Sequence, residues 1–363
     1  MTMYIWALVV IIITGGYLFL RLYPPFGGHA SLATKRRSSN FVDNKFVNQI
    51  STPMNMSLAS LFLMIQKQLT GHLGRRPQQQ ITAKTFSAAS SVQPHITWFG
   101  HSTFLLQIEG KTILLDPIFS RSPSPFQALG PQRFSPLAAT IAELPDIDIV
   151  LISHDHYDHL DYASIRQLAA KTAMFLVPLG LAAHLQRWGV SDRQIVELDW
   201  WDERSFAGFK FVCTPARHFS GRTLTDRFAT LWCSWVIESR QTKLFFSGDS
   251  GYGPHFRQIG DNYGPFDLTL LECGQYDPLW PNIHMMPEQT IQANQDLRGK
   301  RMIPMHWGAF VLAFHSWTEP VERVLAAGAK IGATIITPEL GETVAFTSQH
   351  IATHDWWNNK SST

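Results

Sequence analysis

Six consecutive positions, His154 to His159 in the stretch SHDHYDHLD, carry three histidines and two aspartates. His154 and His156 are two positions apart, so in an extended segment their side chains point to the same side, where neutral imidazoles can bind one metal ion. Asp158 and His159 follow and add a carboxylate and another imidazole. A tetrahedral zinc ion that keeps one position for water needs only three protein ligands. The cluster offers more than three, so we predict a site for two metal ions.

Further ligands are expected just after apolar strands elsewhere in the chain. His218 follows FVCTPAR, Asp249 follows LFFSG and His306 follows RMIPM, while the cluster itself follows the apolar run IVLIS. A carboxylate such as Asp249 can bridge two cations, and a hydroxide held between cations about 3.5–4 Å apart is a strong nucleophile at neutral pH. These residue types in this order predict a hydrolase.

The composition is that of a globular protein, with 363 residues, 45% of them hydrophobic and 16% charged. The net charge of +2 comes without a long basic run, which argues against a nucleic-acid partner. Cys213, Cys233 and Cys273 lie far apart and fit neither a disulfide framework nor a thiolate zinc site. We predict that they are core residues in a reducing compartment.

The segment from Met3 to Leu20 has no charged residue and is long enough to cross a hydrocarbon core of about 30 Å as a helix. We predict a transmembrane anchor over residues 1–21, with a cleaved signal peptide and a buried apolar helix as alternatives. Arg21 and the basic run Lys35–Arg37 follow the span, which by the positive-inside rule places the rest of the chain in the cytoplasm. The predicted location is the inner (cytoplasmic) membrane, with a single-pass anchor.

Residues 22–93 are rich in Pro, Gly, Ser, Asn and Gln, and we predict a linker that wraps the domain. Its apolar stretch Met56–Leu69 has helical spacing; we expect this helix to pack on the domain, with a position at the membrane surface as the alternative. Residues 94–363 alternate short apolar runs with helical segments, which predicts one α/β (α+β) domain of sheets covered by helices.

The predicted strands are apolar or alternating runs bounded by turn residues. They are His95–Phe99, Thr103–Ile108, Thr112–Leu115, Ile149–Ser153, Met174–Pro178, Phe209–Thr214, Leu231–Ile237, Lys243–Ser247, Leu268–Glu272, Arg301–Met305 and Thr334–Thr337. The predicted helices are Tyr162–Ala170, Gly180–Trp188, Pro287–Leu297 and Glu319–Ala327.

The run HDHYDH matches the HxHxDH signature of the metallo-β-lactamase superfamily, and the downstream ligands have the order and context that this superfamily uses. The resemblance implies an αβ/βα four-layer sandwich with two Zn²⁺ per chain; histidine and carboxylate ligands also accept Mn²⁺ or Fe. It also implies which residues bind each zinc ion: a first set for one ion, a second set for the other, and one carboxylate that bridges the two ions. These are His154, His156 and His218 for one zinc, Asp158, His159 and His306 for the other, and Asp249 between them.

Longer segments resemble the branch that contains the N-acylphosphatidylethanolamine-hydrolysing phospholipase D and its bacterial relatives. The resemblance implies a phospholipase D-type phosphodiesterase in which a metal-bridging hydroxide attacks the lipid phosphate, and a histidine, His284, near the substrate. The N-terminal transmembrane helix departs from the pattern of the mammalian enzyme. The similar segments are WFGHST, LLDPIFS, PARHFSGRT, FFSGDSGY, GQYDPLW, HMMPEQT and MHWGAFVLA, with the lead-in PPFGG and SSNFVDNKFVNQ.

Residues near the ligands have more than one predicted role. Asp155 is expected to support the loop, and Asp116 either orients a ligand imidazole or is a turn aspartate before proline. His101 is expected to be structural. Three aromatic residues near the ligand loops line an acyl groove or belong to the core; these are Trp280, Trp307 and Phe310.

The residues expected to act in catalysis are Asp158, Asp249 and His284, on a lipid or small phosphodiester substrate at the membrane bilayer. The closest alternative is a metal-dependent lactonase or small phosphate or ester hydrolase of the same fold. A nuclease is disfavoured because no basic patch is evident. A non-catalytic, membrane-tethered metal-binding protein is the remaining alternative, and a homodimer stays open.

Overall fold

The computed structural model describes residues 2–53, 57–71, 74–88, 93–348 and 355–358. Parts of the three predicted segments lie outside these ranges: Met1 of the anchor, residues 54–56, 72–73 and 89–92 of the linker with Met56 at the start of its helix, and residues 349–354 and 359–363 of the domain. Helix α1 (Thr2–Leu22) forms from the apolar N-terminal run. Its residues Tyr4–Leu22 are long and apolar enough to cross a membrane and are not buried against the described chain, although a signal sequence meets the same criterion. The helix is a candidate membrane anchor.

The rest of the described chain contains further helices and fifteen strands. The helices are α2 (Leu32–Lys35), α3 (Leu58–Thr70), α4 (Tyr162–Leu168), α5 (Ala182–Arg187), α6 (His255–Tyr263), α7 (Pro287–Asp296) and α8 (Glu319–Ala329). The strands are β1 (Phe41–Val42), β2 (Lys45–Phe46), β3 (His95–Trp98), β4 (Phe104–Ile108), β5 (Lys111–Leu115), β6 (Ile147–Leu151), β7 (Thr172–Pro178), β8 (Ile195–Leu198), β9 (Glu203–Phe206), β10 (Phe209–Thr214), β11 (Ser234–Glu238), β12 (Lys243–Phe246), β13 (Leu268–Glu272), β14 (Met302–Met305) and β15 (Thr343–Ala345).

Two large sheets form the centre of the domain, with strand orders β15-β3-β4-β5-β6-β7-β8 and β14-β13-β12-β11-β10-β9. In the first sheet β5 to β8 are parallel, and in the second β12 to β14 are parallel. The other pairs of these two sheets are antiparallel. The connections between parallel strands include helices: α4 joins β6 to β7, α6 joins β12 to β13 and α7 joins β13 to β14.

Side chains alternate across each sheet, so each strand serves two apolar layers. In β4, Phe104 and Leu106 pack in the core between the sheets, whereas Leu105 packs on the outer face with Ile165 of α4 and Leu185 of α5. On the other side of the molecule α7 lies against β13 and α8. The result is the predicted αβ/βα sandwich, and all three cysteines are buried and unpaired, as expected.

Most of the predicted strands are present within a few residues of the predicted bounds, and Phe209–Thr214 and Leu268–Glu272 are unchanged. Thr334–Thr337 is not a strand, because only Ile335 makes an isolated bridge, to Met302. The prediction missed α6 and β9, whose sequences HFRQIGDNY and ERSF are largely polar and contain no long apolar run. It also missed α2, β1, β2, β8 and β15, all of four residues or fewer.

Helix α3 lies within the predicted stretch and contacts the domain through one face, for example by the ion pair of Lys67 with Asp277, but it does not bury its apolar residues in the core. None of its residues is buried by the described chain. Leu58, Phe62 and Leu69 are 87%, 69% and 82% exposed. Most of the apolar residues of α3 are therefore exposed, whereas Met64 is half-buried on the face toward the domain.

Candidate metal centre

The predicted ligands lie on loops that follow β6, β10, β12 and β14. The strands β10, β12 and β14 run in the same direction, because two antiparallel steps separate β10 from β12 and the next two pairs are parallel. Their carboxyl ends therefore meet at one edge of the second sheet, and the loop after β6 in the facing sheet meets them there. The fold thus brings side chains from four separate loops to one place.

The first predicted set forms a compact cluster. Nε2 of His154 lies 2.9 Å from Nδ1 of His156, which lies 3.2 Å from Nε2 of His218. Oδ2 of Asp249 is 3.8 Å from Nε2 of both His154 and His218. Each of the four residues offers one ligand atom, and these atoms lie within 4.8 Å of one another, which is the spacing that a single bound ion needs.

The second predicted set surrounds the other side of Asp249. Nε2 of His159 is 3.1 Å from Oδ2 of Asp249 and 3.5 Å from Oδ2 of Asp158. Nδ1 of His306 is 3.1 Å from Oδ1 of Asp249, and its Nε2 is 4.0 Å from Oδ2 of Asp158. Asp249 thus touches both sets, as a bridging carboxylate would.

The donor set fits metal ions. Nε2 of His159 and Oδ1 of Asp249 are buried without a hydrogen-bond partner among the described residues. Buried polar atoms are normally paired, so two such atoms in neighbouring ligand residues fit a site that can bind a cation. The set contains only imidazoles and carboxylates, which zinc accepts.

The electrostatics of the cluster favour a cation. Burial lowers the pKa of His154, His218 and His306 well below the ordinary value and that of His156 to about 4, so these rings are neutral and can donate a lone pair. The pKa of His159 is raised instead: burial acts to lower it, but neighbouring carboxylates, with Asp249 first, outweigh burial. The carboxylates therefore stabilise a positive charge beside His159, either a proton on its ring or a bound metal ion.

Asp116 orients two of the ligand imidazoles. Its Oδ2 accepts a hydrogen bond of 2.6 Å from Nδ1 of His159. It also accepts one from Ser153 Oγ, which lies 2.9 Å from Nδ1 of His154. Both rings are thereby held with Nε2 toward the cluster, which is the first of the two roles predicted for Asp116.

His101 is buried and its Nε2 lies 2.9 Å from Oδ2 of Asp158. His101 therefore has the predicted structural role, which is to hold the carboxylate of the predicted ligand Asp158. The backbone of His101 also pairs with Trp307, next to His306. Both His101 and His306 have positive φ values, 53° and 68°, a conformation that side chains seldom adopt outside constrained sites.

Asp155 does not belong to either cluster, as expected. It is buried, and its carboxylate accepts hydrogen bonds from Gly221 N at 2.7 Å and Thr230 Oγ1 at 2.8 Å. These contacts tie the loop after β6 to the loop after β10, which carries His218.

His284 lies beside the clusters, and its Nδ1 is 2.7 Å from Oε2 of Glu272. Glu272 is buried and also accepts hydrogen bonds from the backbone of Ser250 and Met285, each at 3.0 Å. Burial raises its pKa well above the ordinary value. Sequence reasoning missed Glu272 as a site residue, although a carboxylate at the end of the apolar strand β13 follows the same pattern as the ligands.

A cavity of about 290 Å³ opens above the clusters. Of the three aromatic residues predicted to line an acyl groove, only Trp280 does so. Trp307 and Phe310 are 2% exposed and do not line the cavity: Trp307 packs among tryptophans in the core, and Phe310 lies edge-on against His101. The cavity is lined by Met64, His156, Asp158, His218, Phe219, Asp249, Gln275, Leu279, Trp280, Ile283, His284, His306 and Leu312.

Comparisons with known proteins identify the family of the chain. Residues 111–307 match the Beta-lactamase superfamily domain. An uncharacterized protein of Mycobacterium tuberculosis is 42% identical over 332 residues, which is 90% of this chain and 89% of that protein. The N-acyl-phosphatidylethanolamine-hydrolyzing phospholipase D 1 of Caenorhabditis elegans is 31% identical over 246 residues, covering 64% of this chain and 68% of that one.

A solved structure is similar in fold. Igni18, a metallo hydrolase from the archaeon Ignicoccus hospitalis, superposes with a TM-score of 0.55 at 23% identity over 69% of this chain and 97% of that one. At this identity the likeness concerns the fold alone. The chain belongs to the β-lactamase superfamily, with the metallo-β-lactamase fold, in the branch of the N-acyl-phosphatidylethanolamine-hydrolysing phospholipases D.

Proposed function

We propose that this metal-dependent hydrolase is a membrane-anchored dinuclear zinc phosphodiesterase of phospholipase D type that acts on N-acylphosphatidylethanolamine-like lipids. The observation that carries the proposal is the convergence of two ligand sets, joined by Asp249, on the floor of a cavity with apolar walls. The name of the Caenorhabditis elegans relative supports the substrate class.

In this proposal His154, His156 and His218 hold one ion, Asp158, His159 and His306 hold the other, and Asp249 is shared. The ions would supply Lewis acidity toward the phosphate and a nucleophile at neutral pH. The chain's own contribution is orientation: His101 fixes the carboxylate of Asp158, while Asp116 fixes the ring of His159.

His284 is placed to deliver a proton to the leaving group. It lines the cavity, and Glu272 is bonded to its Nδ1, which leaves Nε2 to exchange a proton with a group in the cavity. Glu272 also keeps the ring at one orientation. A leaving alkoxide needs such a proton, because its conjugate acid is very weak.

The cavity walls suit an acyl chain. Met64, Phe219, Leu279, Ile283 and Leu312 supply apolar surface directly beside the ligand clusters. A phosphodiester that carries hydrocarbon chains can therefore reach the clusters with its phosphate while its chains remain in apolar contact.

The test is a turnover assay with the purified, metal-analysed full chain. Vesicles that contain N-acylphosphatidylethanolamine should yield phosphatidic acid and an N-acylethanolamine, vesicles of plain phosphatidylethanolamine should react more slowly, and a chelator should abolish turnover until zinc is restored. Turnover of a lactone or a bis-aryl phosphodiester without turnover of the lipid would contradict the lipid assignment. A fully metal-loaded protein that hydrolyses none of these substrates would contradict the hydrolase itself.

We also propose that α1 anchors the protein in the inner membrane with the catalytic domain in the cytoplasm. The apolar helix α1 and the basic residues after it support this orientation. Fractionation should place the intact chain in the inner membrane, and a protease added to spheroplasts should leave it uncut. Recovery in the outer membrane, or release of the chain by carbonate at high pH, would contradict the proposal.

A further inference from the structure

Helix α3 presents its apolar stripe to solvent. The residues of this stripe recur at helical spacing, so they lie along one face of the helix. None of them is buried by the described chain, and together they form an exposed apolar surface that a soluble protein rarely leaves open. The stripe, which we name the α3 stripe, consists of Leu58, Leu61, Phe62, Ile65 and Leu69.

The opposite face of α3 is attached to the rim of the catalytic cavity. Met64, which lies on this inner face, lines the cavity together with the ligand residues. Nζ of Lys67, one turn further, lies 2.8 Å and 3.0 Å from the two carboxylate oxygens of Asp277, and it also lies over the ring of Phe314. These contacts fix the helix at the cavity mouth. The α3 stripe stays exposed, with Ile65 and Leu69 at the edge of an open groove beside Phe314.

The candidate membrane span α1 leaves the domain near the ligand loop that follows β6. Pro25 follows α1 closely, and its carbonyl accepts hydrogen bonds from the guanidinium of Arg222 at 2.8 Å and 3.1 Å. The same guanidinium donates to the carbonyls of Asp155 and Leu160, in the loop that carries the ligands after β6. One buried side chain thus connects the end of α1 to the ligand loop.

We propose that the α3 stripe is a lipid-docking surface that inserts into the bilayer interface and places the cavity mouth on the membrane. An amphipathic helix with Leu and Phe on one face binds at the boundary between head groups and acyl chains. With the stripe immersed there, an acyl chain can pass along Met64 into the cavity without crossing water. The inference rests on the proposed lipid substrate.

The anchor α1 favours the bilayer, rather than a second copy of this chain, as the partner that covers the α3 stripe. A span that ends beside the ligand loop keeps the lipid surface permanently close to that end of the domain, so docking of α3 becomes an intramolecular event. A second copy would have to be met by diffusion and would also close the mouth of the cavity.

The position of α3 can be measured with the full chain in proteoliposomes. The native cysteines are buried, so Phe62→Cys can be labelled selectively with an environment-sensitive fluorophore. The matched control is Ile331→Cys, at an exposed apolar position. Ile331 lies four residues before Ile335, which bridges Met302 at the amino end of β14. His306 follows the opposite end of that strand. Brominated lipids should quench the label at position 62 and spare the label at position 331. Equal quenching at both positions, or a crosslink between two copies through position 62, would overturn the proposal.

The consequence for turnover is tested with Phe62→Asp and the control Ile331→Asp. Replacing a Phe in the interface by a charge should lower turnover of vesicle substrate about tenfold or more, while turnover of a soluble bis-aryl phosphodiester stays unchanged. The control should behave as wild type with both substrates. If Phe62→Asp hydrolyses vesicles as fast as wild type, docking by α3 is wrong although the lipid assignment holds. If wild type itself does not hydrolyse the lipid, the proposed function fails, and the quenching result then decides docking separately.

Discussion

Nδ1 of His159 donates a hydrogen bond to Oδ2 of Asp116 over 2.6 Å, although 43 positions separate the two residues in the chain. The contact determines which nitrogen of His159 faces the ligand cluster. Asp116 is fully buried and serves His154 as well, through Ser153. One carboxylate outside the clusters therefore holds a ligand from each of the two predicted sets.

Replacing Asp116 with Asn should weaken metal binding about 10- to 100-fold, because an amide has a single acceptor oxygen. Its NH2 group would face a donor, either Ser153 N, which Oδ1 accepts, or His159 Nδ1 and Ser153 Oγ, which Oδ2 accepts. Metal content per chain after dialysis against a dilute chelator, measured by mass spectrometry, tests this expectation. Asp146→Asn is the control, since Asp146 is exposed and directly precedes β6, at the end of that strand opposite the ligand loop. Wild-type metal retention by Asp116→Asn would show that the contact is dispensable.

Replacing His284 with Gln should lower turnover of the lipid phosphodiester about 100-fold or more while metal content stays unchanged. The same variant should hydrolyse bis(4-nitrophenyl) phosphate almost normally, because nitrophenolate leaves without a proton. Glu272→Gln should show the same pattern more weakly, since Glu272 acts through His284. An equal loss with both substrates would instead place His284 on the phosphate itself.

The metal-free protein should lose stability as the pH falls below about 6.5. Burial lowers the pKa of His101 to about 4 and that of His255 to about 3, so the unfolded chain binds more protons than the folded chain in this window. The stabilisation is fully present above the unfolded pKa and decreases toward the folded pKa, by about 1 kcal/mol for each such histidine between pH 7.5 and 5.5. His159 opposes the trend, because its pKa is raised.

Urea unfolding of the chelator-treated protein in detergent, followed by tryptophan fluorescence at both pH values, measures this effect. His255→Gln can keep the contact of 3.0 Å with Ser250 Oγ but cannot titrate, so its pH dependence should be shallower than that of the unsubstituted protein. A midpoint that does not change between pH 7.5 and 5.5 would show that these rings do not resist protonation in the folded chain.

Replacing Arg222 with Met should destabilise the protein by about 1–3 kcal/mol for each buried carbonyl left without a donor. The guanidinium bonds to the carbonyls of Asp155, Leu160 and Pro25, and only 5% of Arg222 is exposed. Thermal unfolding of the variant beside Arg193→Met, at an exposed position, tests the expectation. An unchanged unfolding temperature would mean that water replaces the guanidinium at these carbonyls.

The sequence by itself determined the chemistry of the centre. The ligand types and their positions after apolar strands are local properties, because strand alternation and the spacing within HDHYDH do not depend on the rest of the chain. The alternation of apolar runs and helical segments predicted sheets covered by helices, and the resemblance carried by the ligand motif implied the sandwich, but the order of the strands within each sheet came from the structure. The apolar length of α1 is likewise visible in the sequence alone.

Only the tertiary structure decided which side chains meet. Glu272 ends a strand like many others, and nothing local shows that Nδ1 of His284 reaches it. Trp280, Trp307 and Phe310 look alike as aromatic residues near ligand loops, but only Trp280 faces the cavity. The direction of the α3 stripe follows from the ion pair of Lys67 with Asp277, 210 positions away. Contacts between distant segments depend on strand register and loop path, which local spacing does not encode.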